Sequence, residues 1–199
     1  MILFIANIIK VANITMNEEL INLSHFKDGI TNKYHVYKLN DSTLAQHDHY
    51  HDYFQVLFVC SGEVTHTHLG ESIRLYRGDA FIIPPYFVHR LSFLSTETDV
   101  YSLSFSTELF HDGFSRSEIY GFLTELKKQT SIHLRISLDN DELISVNSLM
   151  EILSKEKSGE YSAATSLISS IICILARGYH RHINLNSDHT CSGRAISAT

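Results

Sequence analysis

The chain has 199 residues, which suits one domain with an appendage or two small domains and can bury a core without disulfide or metal staples. It carries 16 Lys and Arg against 22 Asp and Glu, a formal net charge of -6, so this stretch offers no basic face with which to grip nucleic acid. Cys60, Cys173 and Cys191 are an odd number with no C-x-x-C pair, which reads as reduced thiols in a cytoplasmic protein.

The opening, Met1-Ile-Leu-Phe-Ile-Ala-Asn-Ile-Ile-Lys10, is apolar like a signal peptide, yet it lacks a basic flank and is too short to span a bilayer. Met16 then opens a polar stretch, Asn17-Glu18-Glu19. Either Met16 is the true start or the first fifteen residues form an extra arm. No later stretch is long and apolar enough to cross a membrane, and no membrane partner is expected.

Residues 35–106 read as strands. Val100-Tyr-Ser-Leu-Ser-Phe105-Ser alternates, with Tyr101, Leu103 and Phe105 on one face and Ser102, Ser104 and Ser106 on the other, the period of a half-buried strand. Phe54-Gln-Val-Leu-Phe-Val-Cys60 is apolar on both faces, as a covered strand would be. Turns at Ser61-Gly62, Leu69-Gly70 and Gly78-Asp79 punctuate the run, and short strands so spaced predict a sandwich or barrel.

After about residue 112 the period becomes helical. Ser115-Arg-Ser-Glu118 fits a capping box before Ile119, Phe122, Leu123 and Leu126. Asp139-Asn-Asp-Glu142 is a second capping signal, ahead of the stripe Leu143, Val146, Leu149, Ile152 and Leu153. Ser158-Gly159 breaks the pattern, and a third helix is predicted from about Tyr161 to His182. Its apolar residues Leu167, Ile168, Ile171, Ile172, Ile174 and Leu175 exceed one narrow stripe, which predicts a helical hairpin that self-associates as well as packing on the barrel. The resulting division is an N-terminal arm over 1–34, a barrel over 35–112, a helical region over 113–183 and a linker over 184–199.

Two histidine-bearing segments carry most of the chemistry. The first is His49-Tyr-His51-Asp-Tyr53-Phe-Gln55, then six residues to Gly62. The second is Gly78-Asp-Ala-Phe-Ile-Ile-Pro84-Pro-Tyr86-Phe-Val-His89. Residues 49, 51 and 55 share parity, so an unbulged strand projects them to one face. Two imidazoles two residues apart can bind one metal ion, and His89 from a neighbouring strand could complete a facial set with Gln55 as an oxygen ligand. Pro84 and Pro85 end the preceding strand and position the turn that delivers His89.

On these residues the chain resembles the cupin superfamily, whose first motif is H-x-H, three or four residues, Glu, six residues, Gly. His49, His51 and Gly62 match it, with Gln55 in place of Glu. Of the second motif, Gly78, Pro84 and His89 match, while Tyr86 stands where Gly is usual and Phe93 where Asn is usual. The resemblance implies a mostly β fold with C-terminal helices, a jelly-roll (double-stranded β-helix) barrel followed by a helical hairpin. A neutral amide is a poorer metal ligand than a carboxylate, so Gln55 weakens the expected zinc or nickel site of His49, His51, Gln55 and His89.

Over residues 35–182 the chain is similar to the sensor domain of AraC-type transcription regulators. There a cupin barrel precedes a dimerising helical hairpin and then two helix-turn-helix units. This resemblance implies a small organic effector, a sugar among the candidates, bound by His49, His51, Gln55 and His89, with Tyr53 and Tyr86 able to stack on a sugar ring. It implies a homodimer through the hairpin, and DNA contact only through a C-terminal domain not in this chain. Arg194-Ala-Ile-Ser-Ala-Thr199 looks like the opening of the first DNA-binding helix. The alternative is a small metal-dependent cupin enzyme, an isomerase or dioxygenase.

The remaining histidines read as structural. His47 shares the parity of His49 and is expected at the barrel mouth. Thr65-His66-Thr-His68 has no partner at motif spacing and is expected to face outward. His180 and His182 would end the last helix, where cations suit the dipole. No nucleophile elbow or phosphate-cradling glycine loop is present.

Overall fold

The computed structural model describes residues 19–21, 33–39, 47–93, 95, 97–110, 116–128, 135–156 and 161–192. The expectations for the first fifteen residues, the Ser115 cap and residues 194–199 lie outside them. In chain order the strands are β1 Glu19–Ile21, β2 Tyr34–Leu39, β3 His49–His51, β4 Phe54–Ser61 and β5 Glu63–His68. They continue with β6 Glu71–Tyr76, β7 Asp79–Ile83, β8 Arg90–Phe93, β9 Asp99–Phe105 and β10 Arg135–Ser137. The helices are α1 Arg116–Lys128, α2 Asn140–Lys155 and α3 Tyr161–Ser192.

One sheet has the order β10-β7-β4-β9-β2. The other is assembled from two pieces. β6-β5-β8 form one, and β1 pairs with β3 in parallel to form the second. His49 and His89 exchange backbone hydrogen bonds of 2.9 and 2.8 Å, and this bridge joins the two pieces into a layer ordered β6-β5-β8-β3-β1. Two such layers face to face make a cupin-type barrel.

The register decides which side chains point inward. Gln55 lies opposite Ser104 and Ile83, and Leu57 opposite Ser102 and Phe81. Phe81 touches His66 of the facing layer, with ring centroids 4.1 Å apart, so this set lines the barrel interior. The other face of the sheet carries Phe54, Val56, Phe58, Leu103 and Phe105, all buried beneath the helices. Full burial of each such side chain is worth about 1.5–3 kcal/mol of transfer free energy. The serine face of β9 is therefore not solvated, as its alternation suggests. Ser102 and Ser104 are buried inside a barrel whose interior is polar at that end.

Two turns depend on glycine. Gly62, at φ 71°, joins β4 to β5, and a Cβ there would sit 2.4 Å from the Thr98 hydroxyl. Gly78, at φ 89°, lies against α2, where a Cβ would fall 2.8 Å from Leu143 Cδ1. Both are motif positions.

The helices cover the outer face of the larger sheet. Ile119, Phe122, Leu123 and Leu126 of α1 are buried, as their spacing predicts. α2 begins with the expected capping box: Glu142 N–H donates to Asp139 Oδ1 at 2.9 Å, and Asp139 N–H to Glu142 Oε2 at 3.1 Å. α3 crosses β10, with Gly178 held against Ile136.

Three features extend the picture drawn from periodicity. β10 returns to the sheet after α1 and pairs with β7, so barrel strands continue to Ser137. α3 runs to Ser192, which puts His180 inside a helix rather than at its end. The apolar surplus of α3 is consumed within the chain, since Ile168, Ile171, Ile172, Ile174 and Leu175 are all buried. The large apolar residues left exposed on the hairpin are Ile144 (61%), Ile152 (50%) and Ile183 (38%).

Candidate functional site

His49 and His51 project inward from β3, and Gln55 projects inward from β4 across the gap between the layers. His89 stands at the bridge just before β8. The parity reading thus brings together the residues it named. The His49 and His89 rings have centroids 4.2 Å apart, and those of His51 and His89 are 5.1 Å apart. All four side chains are buried.

Each of the three imidazoles is anchored to backbone. Nδ1 of His49 donates to the carbonyl of His47 at 3.0 Å, Nδ1 of His51 to that of Tyr53 at 2.7 Å, and Nδ1 of His89 to that of Phe87 at 3.0 Å. A carbonyl oxygen can only accept, so the proton sits on Nδ1 in every case. In the neutral rings Nε2 then carries a lone pair. Nε2 of His51 and of His89 is buried without a hydrogen-bond partner among the described residues. Gln55 donates from Nε2 to Ser102 Oγ at 2.9 Å, which leaves its Oε1 as an unpartnered acceptor.

Burial keeps the His51 and His89 rings neutral. It pushes the His51 imidazole down to about 4, while the Tyr53 carbonyl works in the opposite direction. It holds His89 well below the ordinary value, helped by the neighbouring His49, His51 and His66.

His66 corrects the expectation that it faces outward. It is fully buried, lies between Phe81 and His89, and neither ring nitrogen has a partner among the described residues. Burial lowers its pKa to about 3. The physical reason is pairing. β5 lies beside β8, with His66 opposite Leu91 and Val64 opposite Phe93, so residues 64, 66 and 68 share the face of His89. The signal available in the sequence was Val64, an apolar residue of the same parity. His68 is also buried; its ring stacks on Phe87 and its Nδ1 bonds the Val88 carbonyl.

The two tyrosines differ. Tyr53 is buried and lies face to face with His51, with centroids 4.3 Å apart, and burial pushes its phenol pKa up. Tyr86 sits at the rim, 65% exposed, with its N–H bonded to the His51 carbonyl at 2.7 Å. Its φ of 64° is left-handed, a conformation that costs a non-glycine residue about 1–2 kcal/mol. His47 is exposed and meets the site through its carbonyl.

Anchored Nδ1 protons and inward Nε2 lone pairs are what metal-binding histidines require. The rest of the expected set does not fit. No group of three or more His, Cys, Asp or Glu side chains among the described residues is arranged to hold a metal ion, and the carboxylate position is occupied by Gln55. The arrangement is a buried cluster of hydrogen-bonding groups.

A family model described as an AraC-like ligand binding domain matches residues 37–168. Among solved structures, apo ToxT from Vibrio cholerae, in a substituted form, aligns with a TM-score of 0.51 at 11% identity, covering 74% of this chain and 56% of that one. KdgF from a Halomonas species aligns at 26% identity over 37% of this chain and 69% of that one, with a TM-score of 0.33. An RmlC-like cupin from Shewanella frigidimarina aligns at 25% identity over 37% of this chain and 66% of that one, with a TM-score of 0.31. This chain therefore spans little more than half the length of the ToxT chain. A search of curated proteins finds no match.

Proposed function

The chain belongs to the AraC-like ligand-binding domain family, and from that premise we propose that it is the effector-sensing and dimerisation part of a cytoplasmic bacterial transcription regulator. A small organic effector, a sugar among the candidates, enters the barrel and contacts His49, His51, Gln55 and His89. The observation that carries this reading is the set of buried, unpartnered polar atoms inside the barrel on His51, Gln55 and His89. Such atoms are costly to leave alone, each by about 1–3 kcal/mol, so a bound molecule that pairs them gains binding energy.

Sensing requires that the effector favour one arrangement of the protein over another. A continuous set of contacts supports a route outward. His66 packs on Phe81, Phe81 is paired with Arg135 of β10, and β10 meets α3 where Ile136 lies against Gly178. Dimerisation is assigned to the hairpin face bearing the exposed Ile144 and Ile152. With a net charge of -6, DNA contact is assigned to a C-terminal domain outside this sequence.

The test is a screen for small molecules that raise the unfolding temperature. A ligand at about 100 times its Kd stabilises by about 2.7 kcal/mol, a readily measured shift. A saturable binder lost in the His51→Leu, His89→Leu double variant, with the fold intact, is expected. A screen in which every hit survives that double variant would remove the pocket from the reading.

The enzyme alternative, an isomerase or dioxygenase using zinc or nickel on His49, His51, Gln55 and His89, has less support because Gln55 stands in the carboxylate position and no group of three or more His, Cys, Asp or Glu among the described residues is arranged to hold a metal ion. Stoichiometric zinc or nickel in the purified protein would restore it.

A further inference from the structure

Asp79 lies where both layers of the barrel meet the helical region. It opens β7 of the larger layer, directly after the Arg77-Gly78 turn that leaves β6 of the smaller layer. Its side chain is buried, and its two oxygens are divided between different elements. Oδ2 accepts from the backbone N–H of Tyr76, the last residue of β6, at 2.8 Å. Oδ1 accepts from the Ser137 hydroxyl at 2.8 Å and lies 3.1 Å from Nε of Arg135, both on β10. The Arg135 guanidinium in turn stands over the Tyr76 ring, 5.9 Å from its centre. The neighbouring Gly78 carbonyl accepts from the Leu138 N–H at 3.1 Å.

β10 depends on such a clip. It is three residues long, stands at the edge of its sheet and is paired with β7. Helix α1 separates it from β9 along the chain, so no tight hairpin turn fixes its register. Bonds to a buried carboxylate are stronger than those of the ladder and specify which residue of β10 stands beside Asp79.

The clip also holds the start of the hairpin. Asp139, which caps α2, follows Ser137 by two residues, Leu143 of α2 packs beside Gly78, and Ile136 lies against Gly178 of α3. From inside the barrel the same junction is reached twice. His66 of β5 is paired with Ile73 of β6, and its ring packs on Phe81 of β7, the residue opposite Arg135.

Resting on the effector-sensing reading above, we propose that Asp79 is a positioning residue of the sensor. It clips β10 to both layers of the barrel, so a shift of the wall at His66 and Phe81 is passed to the first turns of α2. Without the clip, wall and hairpin move independently.

The clip is tested by hydrogen exchange of the whole chain, read by mass spectrometry at neutral pH. In Asp79→Ala, exchange over residues 135–145 should rise at least about tenfold while β4 and β9 keep their protection. Ser137→Ala, which leaves the Tyr76 bond in place, should act on the same residues. Asp79→Asn keeps an oxygen for the Tyr76 N–H and can donate to the Ser137 hydroxyl, so it should recover part of the protection. A rise spread evenly over the chain would make Asp79 a support of the whole fold and overturn the proposal, as would unchanged exchange over 135–145 in Ser137→Ala.

Transmission is tested by a double-mutant cycle with the barrel wall. His66→Ala, or Phe81→Leu as a second wall variant, should change exchange over residues 139–145 by at least about threefold in the wild-type background and by much less in Ser137→Ala. An equal change in both backgrounds means that the route bypasses the clip, and no change in either means that the wall is not coupled to α2. Both results overturn the proposal, and the ligand screen above then decides the sensing reading by itself.

Discussion

His66 of β5 and His89, just before β8, hold their rings nearly parallel, with centroids 5.5 Å apart and planes 19° from parallel. Neutral imidazoles tolerate that approach. Two imidazolium rings would repel each other inside a barrel whose described residues bring no carboxylate to the cluster.

Acid should therefore unfold this protein in a specific pH window. In the folded chain burial holds His66 at about 3 and His51 at about 4, against an ordinary value of 6.5. Below about pH 6.5 the unfolded chain takes up protons on these rings and the folded chain does not. Stability is fully present above that pH and is lost as the pH falls. The His51 share of the loss is complete near 4 and the His66 share near 3. The urea midpoint should drop between about pH 7 and pH 4.5, and His66→Leu should flatten the drop. A midpoint that is level across the window would contradict the buried neutral cluster.

Gly178 sets two effects against each other. Alanine inside a helix is favoured over glycine by about 1 kcal/mol. Here its Cβ would fall 2.7 Å from Cγ2 of Ile136, a branched side chain with little freedom to retreat. Overpacking of that kind costs about 1–3 kcal/mol. Gly178→Ala should consequently lower stability on denaturant titration, whereas Gly178→Ala combined with Ile136→Val (which trims the Cδ1 methyl but keeps Cγ2) should recover little of the loss. A stabilised Gly178→Ala would mean that α3 stands further from β10 than described.

Glu142 joins two helices. It closes the α2 capping box, and it takes a pair of hydrogen bonds from Arg181 of α3, one of them 3.0 Å long. Those bonds from Arg181 hold its carboxyl below the usual range. Glu142→Ala removes the glutamate half of the capping box and the bridge together, leaving the Asp139 side chain on the residue 142 N–H, and should cost about 1–3 kcal/mol. Arg181→Ala removes only the bridge, from a guanidinium that is largely solvated, and should cost less than about 1 kcal/mol. Equal losses in the two variants, read by urea unfolding, would leave the glutamate half of the capping box without weight.

Ile144 and Ile152 lie two turns apart on α2, both well exposed. Changing both to Asn should weaken self-association at least about tenfold in sedimentation equilibrium while the unfolding temperature of the monomer stays level. Wild-type protein that sediments as a monomer throughout the accessible concentration range would end the dimer assignment.

Much of the site could be read from spacing because a strand has period two. His49, His51 and Gln55 share parity, and Gly62 and Gly78 mark turns that only glycine fits. His66 escaped because its partner is not at any fixed distance along the chain. Its place depends on how β5 pairs with β8, which is set by packing. The serines of β9 misled for a related reason, since alternation distinguishes two faces but not water from a polar barrel interior. Three-residue strands such as β10 carry too little pattern to be seen, and the length of α3 past His182 has no apolar stripe to announce it. The capping box at Asp139 was legible because its two hydrogen bonds depend only on residues three apart.

β10 has a consequence for dissecting the protein. The polypeptide leaves the barrel after β9, makes a helix, and only then supplies the last strand of the larger sheet. A fragment cut near residue 112 would look like a complete barrel by its histidine motifs, yet it would expose the row of backbone N–H and C=O groups along β7. Unprotected rows of that kind invite pairing with other chains. Such a fragment should precipitate or form oligomers through β7, and the shortest fragment that stays in solution should extend past Ser137 and include the helices packed on that layer.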